Sequence, residues 1–345
     1  MYNLIFTLDY EIHGNGDGNP YLLMVAPTYR LMNLLEKYGA KLTIMADVAE
    51  ILCFKQYYER NQIDKFHYLD IEKQLKEAIK GGHDVQLHIH SSYFKATFDG
   101  KRWNQCISEY NMATLPYERI YEMVRESVTY LNELLRSVKP DYSCKVFRAA
   151  NWSMMPTENI YKVLVANGIK IDTSVYKGGC QGGNVCYDYR MAYDNLLAYP
   201  ASCYNINEYD ADGEMVEFPI YTEMRYFWNF ISPLRVFRLL RSKLHKHQHN
   251  KSVHIDTIEK NDNRKLTLKS FFRKNPWKFD FNQATGRQMI AAIKRIRKRK
   301  VEGACRNVVL IGHSKTFVPY NEKTLECFLR YVSKQADIRS GSFDV

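Results

Sequence analysis

Two carboxylates, Asp9 and Glu11, stand one residue apart at the end of a short apolar run at 4–8. Two histidines, His88 and His90, repeat that spacing at the end of a second run at 85–89. Arg148 lies within a run at 146–150 and Asn151 follows it; Asp172 lies within 169–175, and His313 follows 308–312. Together these side chains can bind a divalent metal and supply a general base and a general acid. Residues i and i+2 of a strand share one face, so Asp9 and Glu11 can point the same way. His88 and His90 can do so only if their strand continues to His90. Any one of these residues alone reads more readily as a structural hydrogen-bonder. Their shared position at the ends of apolar strands is what groups them, since parallel α/β folds gather those ends on one face.

The elements that must position them alternate. Strands are expected at 4–8, 40–45, 85–89, 146–150, 169–175, 214–220 and 308–312, as short apolar runs bounded by turn residues. Helical patterns fall at 27–38, 71–79, 117–138, 158–166, 288–300 and 321–335. Strand–helix alternation implies a parallel sheet, open or closed into a barrel. The chain has 345 residues, 46% hydrophobic and 25% charged, which excludes disorder, collagen and coiled coil as descriptions of the whole. It reads as a single domain over 1–345 with a basic insertion around 226–278.

The formal net charge is +11, and it is concentrated. Residues 235–300 carry 20 Lys and Arg against 4 Asp and Glu, so the rest of the chain is mildly acidic. A polyanionic partner or a solvated face would each account for this. Within 226–244, Arg235, Arg238 and Arg241 recur every three residues opposite Phe237, Leu240 and Leu244, a pattern that suits peripheral contact with an anionic membrane surface. The same helix could instead pack its apolar stripe on the body of the protein. No zinc-finger or RNA-recognition pattern accompanies the basic residues, which argues against nucleic acid. The opening MYNLIFTLDY has no basic n-region, and the eight cysteines form no CxxC pair. The expectation is a reduced, cytoplasmic protein.

The segments TLDYE, GHDVQLHIHS, FRAANW, IDTSVY and VLIGHSKTF, in that order, resemble the five motifs of the polysaccharide deacetylases, the NodB-homology group of carbohydrate esterases. The resemblance runs from Thr7 to Phe317. It implies a distorted (β/α) barrel and metal-assisted removal of acetyl groups from N-acetylated sugars. By this resemblance Asp9 is the general base, His88 a metal ligand, Arg148 the residue that holds Asp9, and His313 the general acid with its ring oriented by Asp172. Asn151 and Trp152 become substrate-binding residues.

The sequence departs from that pattern in three places. Asp9 and Glu11 replace adjacent aspartates. The second motif has His90 two residues from His88, with Ser92 where a second histidine is usual; His83 precedes the strand and is a poorer substitute. The third motif has Ala150, Asn151 and Trp152 in place of proline and tyrosine. The expected metal site is zinc on Glu11, His88 and His90, since carboxylate and imidazole suit zinc better than magnesium. Two other readings stand beside this one. A glycosidase-like hydrolase could use Asp9 and Glu11 as its acid and base, but leaves Arg148 and His313 without roles. A non-catalytic glycan-binding relative would explain Ser92 and the basic segment.

Overall fold

The computed structural model describes residues 1–230, 273–299 and 306–343. Nine strands form the main sheet: β1 (Tyr2–Tyr10), β2 (Leu42–Asp47), β3 (Asp84–Ile89), β4 (Val146–Ala149), β5 (Ile171–Asp172), β6 (Tyr199–Pro200), β7 (Val216–Glu217), β8 (Arg306–His313) and β9 (Ile338–Ser340). Their spatial order is β6-β7-β5-β4-β3-β2-β1-β8, with β9 also paired to β1. All nine residues of β1 are buried, as expected of a central parallel strand covered on both faces.

Past β7 the chain bends so that Ile220 bridges Tyr176 on one side and Val309 of β8 on the other. Asp280 then bridges Ile311. These single bridges carry the sheet around to its own far edge, giving a distorted (β/α) barrel closed by irregular backbone. The strands expected at 169–175 and 214–220 are accordingly shorter than their apolar pattern. Side chains take over the backbone donors there: Ala149 N–H donates to Ser174 Oγ at 2.8 Å and Val175 N–H to a Glu217 carboxylate oxygen at 3.1 Å.

Helices cover the outside of the sheet: α1 (Ala26–Glu36), α2 (Val48–Asn61), α3 (Tyr68–Lys80), α4 (Tyr117–Arg136), α5 (Thr157–Ala166), α6 (Gly286–Ile296) and α7 (Pro319–Val332). Helix α4 buries Ile120, Val124, Leu131 and Leu135 along one stripe. Helix α2 has no counterpart in the sequence reading. Its inward face is apolar, but Tyr57, Tyr58 and charged residues blur the period toward its end.

The stretch around the basic insertion begins and ends on one stem, in which Thr222–Tyr226 pairs antiparallel with Lys274–Lys278. Residues 231–272, including Arg235, Arg238 and Arg241 of the expected surface helix, lie outside the described residues. No described helix is long and apolar enough to cross a membrane.

Candidate active site

Register brings the chemistry together. Asp9 pairs with His313 across β1 and β8, Asp47 with His88 across β2 and β3, and His88 with Arg148 across β3 and β4. The C-terminal ends of five adjacent strands therefore lie flush, and Thr7, Asp9 and Glu11 alternate onto the interior.

Arg148 is completely buried and organises this floor. Its Nη1 donates to Asp9 Oδ1 at 2.7 Å and to Thr7 Oγ1 at 2.9 Å, and its Nε donates to the Thr173 carbonyl at 3.0 Å. Burial alone would raise the Asp9 carboxyl, but Arg148, then His313 and His88, outweigh it and hold the group below its usual value. The other Asp9 oxygen lies 3.5 Å from His313 Nε2. The β8 end carrying His313 is fixed by Asn282, whose Oδ1 accepts from the His313 N–H at 2.9 Å. Gly312 permits this approach, since a Cβ there would sit 2.1 Å from the Phe281 ring.

Glu11 stands beside the histidines. Its Oε2 lies 3.5 Å from His88 Nε2 and 3.2 Å from His90 Nδ1, and its Oε1 is 2.9 Å from Lys315 Nζ. Burial would raise Glu11, but Lys315 and His90 outweigh it and hold it well below the carboxylate range. The His88 ring donates from Nδ1 to the Arg148 carbonyl at 2.8 Å, which turns Nε2 toward Glu11. Strand β3 ends at Ile89, yet His90 keeps an extended backbone (φ −92°, ψ 93°) before the turn at Ser91–Lys95. Alternation therefore persists to His90, and the two histidine rings meet at 4.8 Å, perpendicular.

The ligand atoms of Glu11, His88 and His90 all lie within 4.8 Å of one another. Glu11 Oε2 is buried and makes no hydrogen bond, as an oxygen reserved for a cation would. The residues present thus fit the expected metal. Ser92 is no part of it, since its hydroxyl donates to Gln105 at 2.7 Å. Nor is His83, which sits at the opposite end of β3 against Glu36 and the Leu42 N–H.

Asp172 requires a correction. It was expected against the His313 ring, but its oxygens accept from Ser174, from Oγ at 2.7 Å and from the N–H at 3.1 Å, and it interacts with Glu217. Burial, then Asp172, pushes Glu217 well above the carboxylate range. The carboxylates that face His313 are Asp9 and Glu11. Asp172 is thus a support beside Arg148's strand, because the register pairs it with Phe147, one residue before Arg148, and so sets its side chain on the other face of the sheet from Arg148.

Asn151 and Trp152 follow β4 with left-handed backbones (φ 52° and 58°). Such strain in two successive non-glycine residues is characteristic of functional turns. It places the Trp152 ring at the mouth, 6.3 Å from the His313 ring and perpendicular to it. Lys278 Nζ lies 3.0 Å above the Trp152 ring centre. Asn151 Nδ2 is buried without a hydrogen-bond partner.

Two groups escaped the sequence reading. Asp47, fully buried at the end of β2, holds His90 Nδ1 at 2.6 Å and accepts from the His90 N–H at 3.1 Å. Burial lowers the His90 ring's pKa, but Glu11 and Asp47 outweigh it and raise it to about 9. The signal for Asp47 was available: it follows an apolar run as the other site residues do. Lys315, two residues after His313, was in plain view within VLIGHSKTF.

No family model matches the sequence, and no curated protein matches it. Solved structures do match. One is named "probable Polysaccharide deacetylase from Pseudomonas aeruginosa PAO1": TM-score 0.50, 14% identity, covering 99% of this chain and 88% of that one. The PuuE allantoinase gives TM-score 0.51 at 11% identity, covering 99% and 87%. A 4-alpha-glucanotransferase from Thermococcus litoralis gives TM-score 0.50 at 14% identity, covering 99% of this chain but 39% of that one. At these identities the likeness is one of fold, and it agrees with the distorted barrel.

Proposed function

We propose that this protein is a hydrolase that removes the acetyl group from an N-acetylated carbohydrate, by general acid–base chemistry assisted by a divalent metal. The observation that carries the reading is Asp9, bound at Oδ1 by Arg148 at 2.7 Å and facing His313 Nε2 with Oδ2 at 3.5 Å. A buried carboxylate kept ionised by a guanidinium is fit to accept a proton from water. An imidazole beside it is fit to deliver one to the departing amine, whose high basicity makes that proton necessary. Positioned acid and base groups each contribute roughly 10²–10⁴-fold.

Glu11, His88 and His90 would hold the metal, which we take to be zinc. The ion would supply Lewis-acid stabilisation of the charge that develops on the acetyl oxygen. Arg148 fixes both Asp9 and the tautomer of His88. His313 is half-buried, so it and Trp152 form the face open to a sugar ring. Aromatic rings suit the apolar faces of sugars. The glycosidase-like alternative is disfavoured because Glu11 is committed to Lys315 and the histidines.

The test is acetate release from N-acetylglucosamine oligomers, with product amine measured in parallel. New reducing ends without acetate would favour the glycosidase-like reading. Saturable binding with neither product would favour the non-catalytic one.

A further inference from the structure

Lys315 lies in this floor but takes no part in the proposed reaction. Its side chain is only 7% exposed, and its ammonium lies 2.9 Å from Glu11 Oε1, the oxygen facing away from the histidine pair. The opposite oxygen, Oε2, is aimed between His88 and His90 and makes no hydrogen bond. One carboxylate thus serves two cation positions, of which a lysine already fills one. The ammonium also acts electrostatically on His90 and on the buried Glu50 behind it.

We propose that Lys315 is a positioning residue that sets the metal affinity of this site, acting as a built-in cation that competes for the charge of Glu11. The inference rests on the metal reading given above. Glu11 supplies the trio's one negative charge, and Lys315 cancels it. A divalent ion therefore meets a nearly neutral trio rather than an anionic one, with Asp47 the nearby acid left to compensate. Two cations sharing one carboxylate in a buried site repel strongly, because the surroundings screen them poorly. The lysine also restricts Glu11 to a single free oxygen, which leaves room in the shell for water or substrate.

The experiment is titration of metal-stripped protein with Co²⁺, followed by calorimetry and by the visible spectrum of the bound ion. The parent, K315M, K315Q, K315R and H88A are compared. Removing the charge in K315M and K315Q should tighten Co²⁺ binding by at least about tenfold. K315R, which keeps the charge, should stay near the parent, and H88A should lose binding. Having two neutral variants guards against one failing to fold. Binding by K315M and K315Q but not by the parent would support the inference in its strongest form. Unchanged or weaker binding in both, with the parent still binding, would overturn it while sparing the metal reading; Lys315 would then serve to orient Glu11. No binding by the parent or by either neutral variant would overturn both.

Discussion

Arg148 joins the two halves of the site: its guanidinium donates to Asp9 at 2.7 Å while its own carbonyl accepts from the His88 ring at 2.8 Å. The general base and a metal ligand are thus fixed by one buried residue, so neither can shift without the other. A substitution at either end of the Arg148–Asp9 pair should cost both turnover and stability. Asp9→Asn keeps an oxygen for Nη1, and Thr7 and Thr173 still hold the guanidinium. It should cost roughly 10²–10⁴-fold in turnover and, because the buried guanidinium loses its counter-charge, about 3–5 kcal/mol of stability. Arg148→Met strands a buried carboxylate and should cost about 3–5 kcal/mol of stability as well. Denaturant midpoints measured beside deacetylation rates check this. Near-parent rates in Asp9→Asn would remove Asp9 from the mechanism.

Asp47 should act on metal affinity rather than on the chemical step. It grips His90 by both ring and backbone, and carboxylates behind ligand histidines typically contribute 10–100-fold. Asp47→Asn should weaken Co²⁺ binding by about that factor, with turnover recovering at saturating metal. If saturating metal restores nothing while the fold is intact, Asp47 has a more direct role.

Much of this was legible in the sequence, because strand ends announce themselves. Asp9 and His313 follow apolar runs while His88 and Arg148 lie inside theirs, and parallel register does the rest. What could not be read was which neighbours the side chains choose. Asp172 occupies the same kind of position, yet turns to Glu217 and Ser174, because the barrel closes there through irregular backbone whose N–H groups need side-chain partners. Ser92 stands where a ligand is usual, but Gln105, 13 residues on, claims its hydroxyl. The extended backbone at His90 outlasts its strand by one residue, and periodicity has no resolution for that.

The relocated Asp172 makes its own prediction. Burial and Asp172 push the Glu217 carboxyl well above its usual range, which favours the neutral acid, and Glu217→Gln puts a neutral amide of similar shape in its place. Unfolding free energy should change by less than about 1 kcal/mol. Asp172→Ala removes the acceptor for Ser174 and should cost more, about 1–3 kcal/mol. In neither variant should the pH–rate profile shift. A displaced alkaline limb in Asp172→Ala, the limb on which a general acid loses its proton, would restore the idea that this carboxylate governs His313.

A last test concerns stability at the far end of the barrel. His83 Nδ1 accepts the Leu42 N–H at 3.0 Å, and its Nε2 lies 3.0 Å from Glu36. The ring ties the start of β2 to the start of β3 and must be neutral to do so. Burial lowers its pKa, against the pull of Glu36. The unfolded chain, with an ordinary value near 6.5, therefore binds the proton more readily than the folded one. The stability from this contact is fully present above pH 6.5 and is lost as the pH falls through the depressed folded value. Losing the Leu42 hydrogen bond should cost roughly 1–3 kcal/mol. His83→Asn places an amide oxygen near the position of Nδ1 and does not titrate. The difference in denaturant midpoint between parent and variant, followed from pH 7.5 down to 5, should shrink steadily. Parallel curves across that range would show that His83 stays neutral throughout and does not link folding to pH.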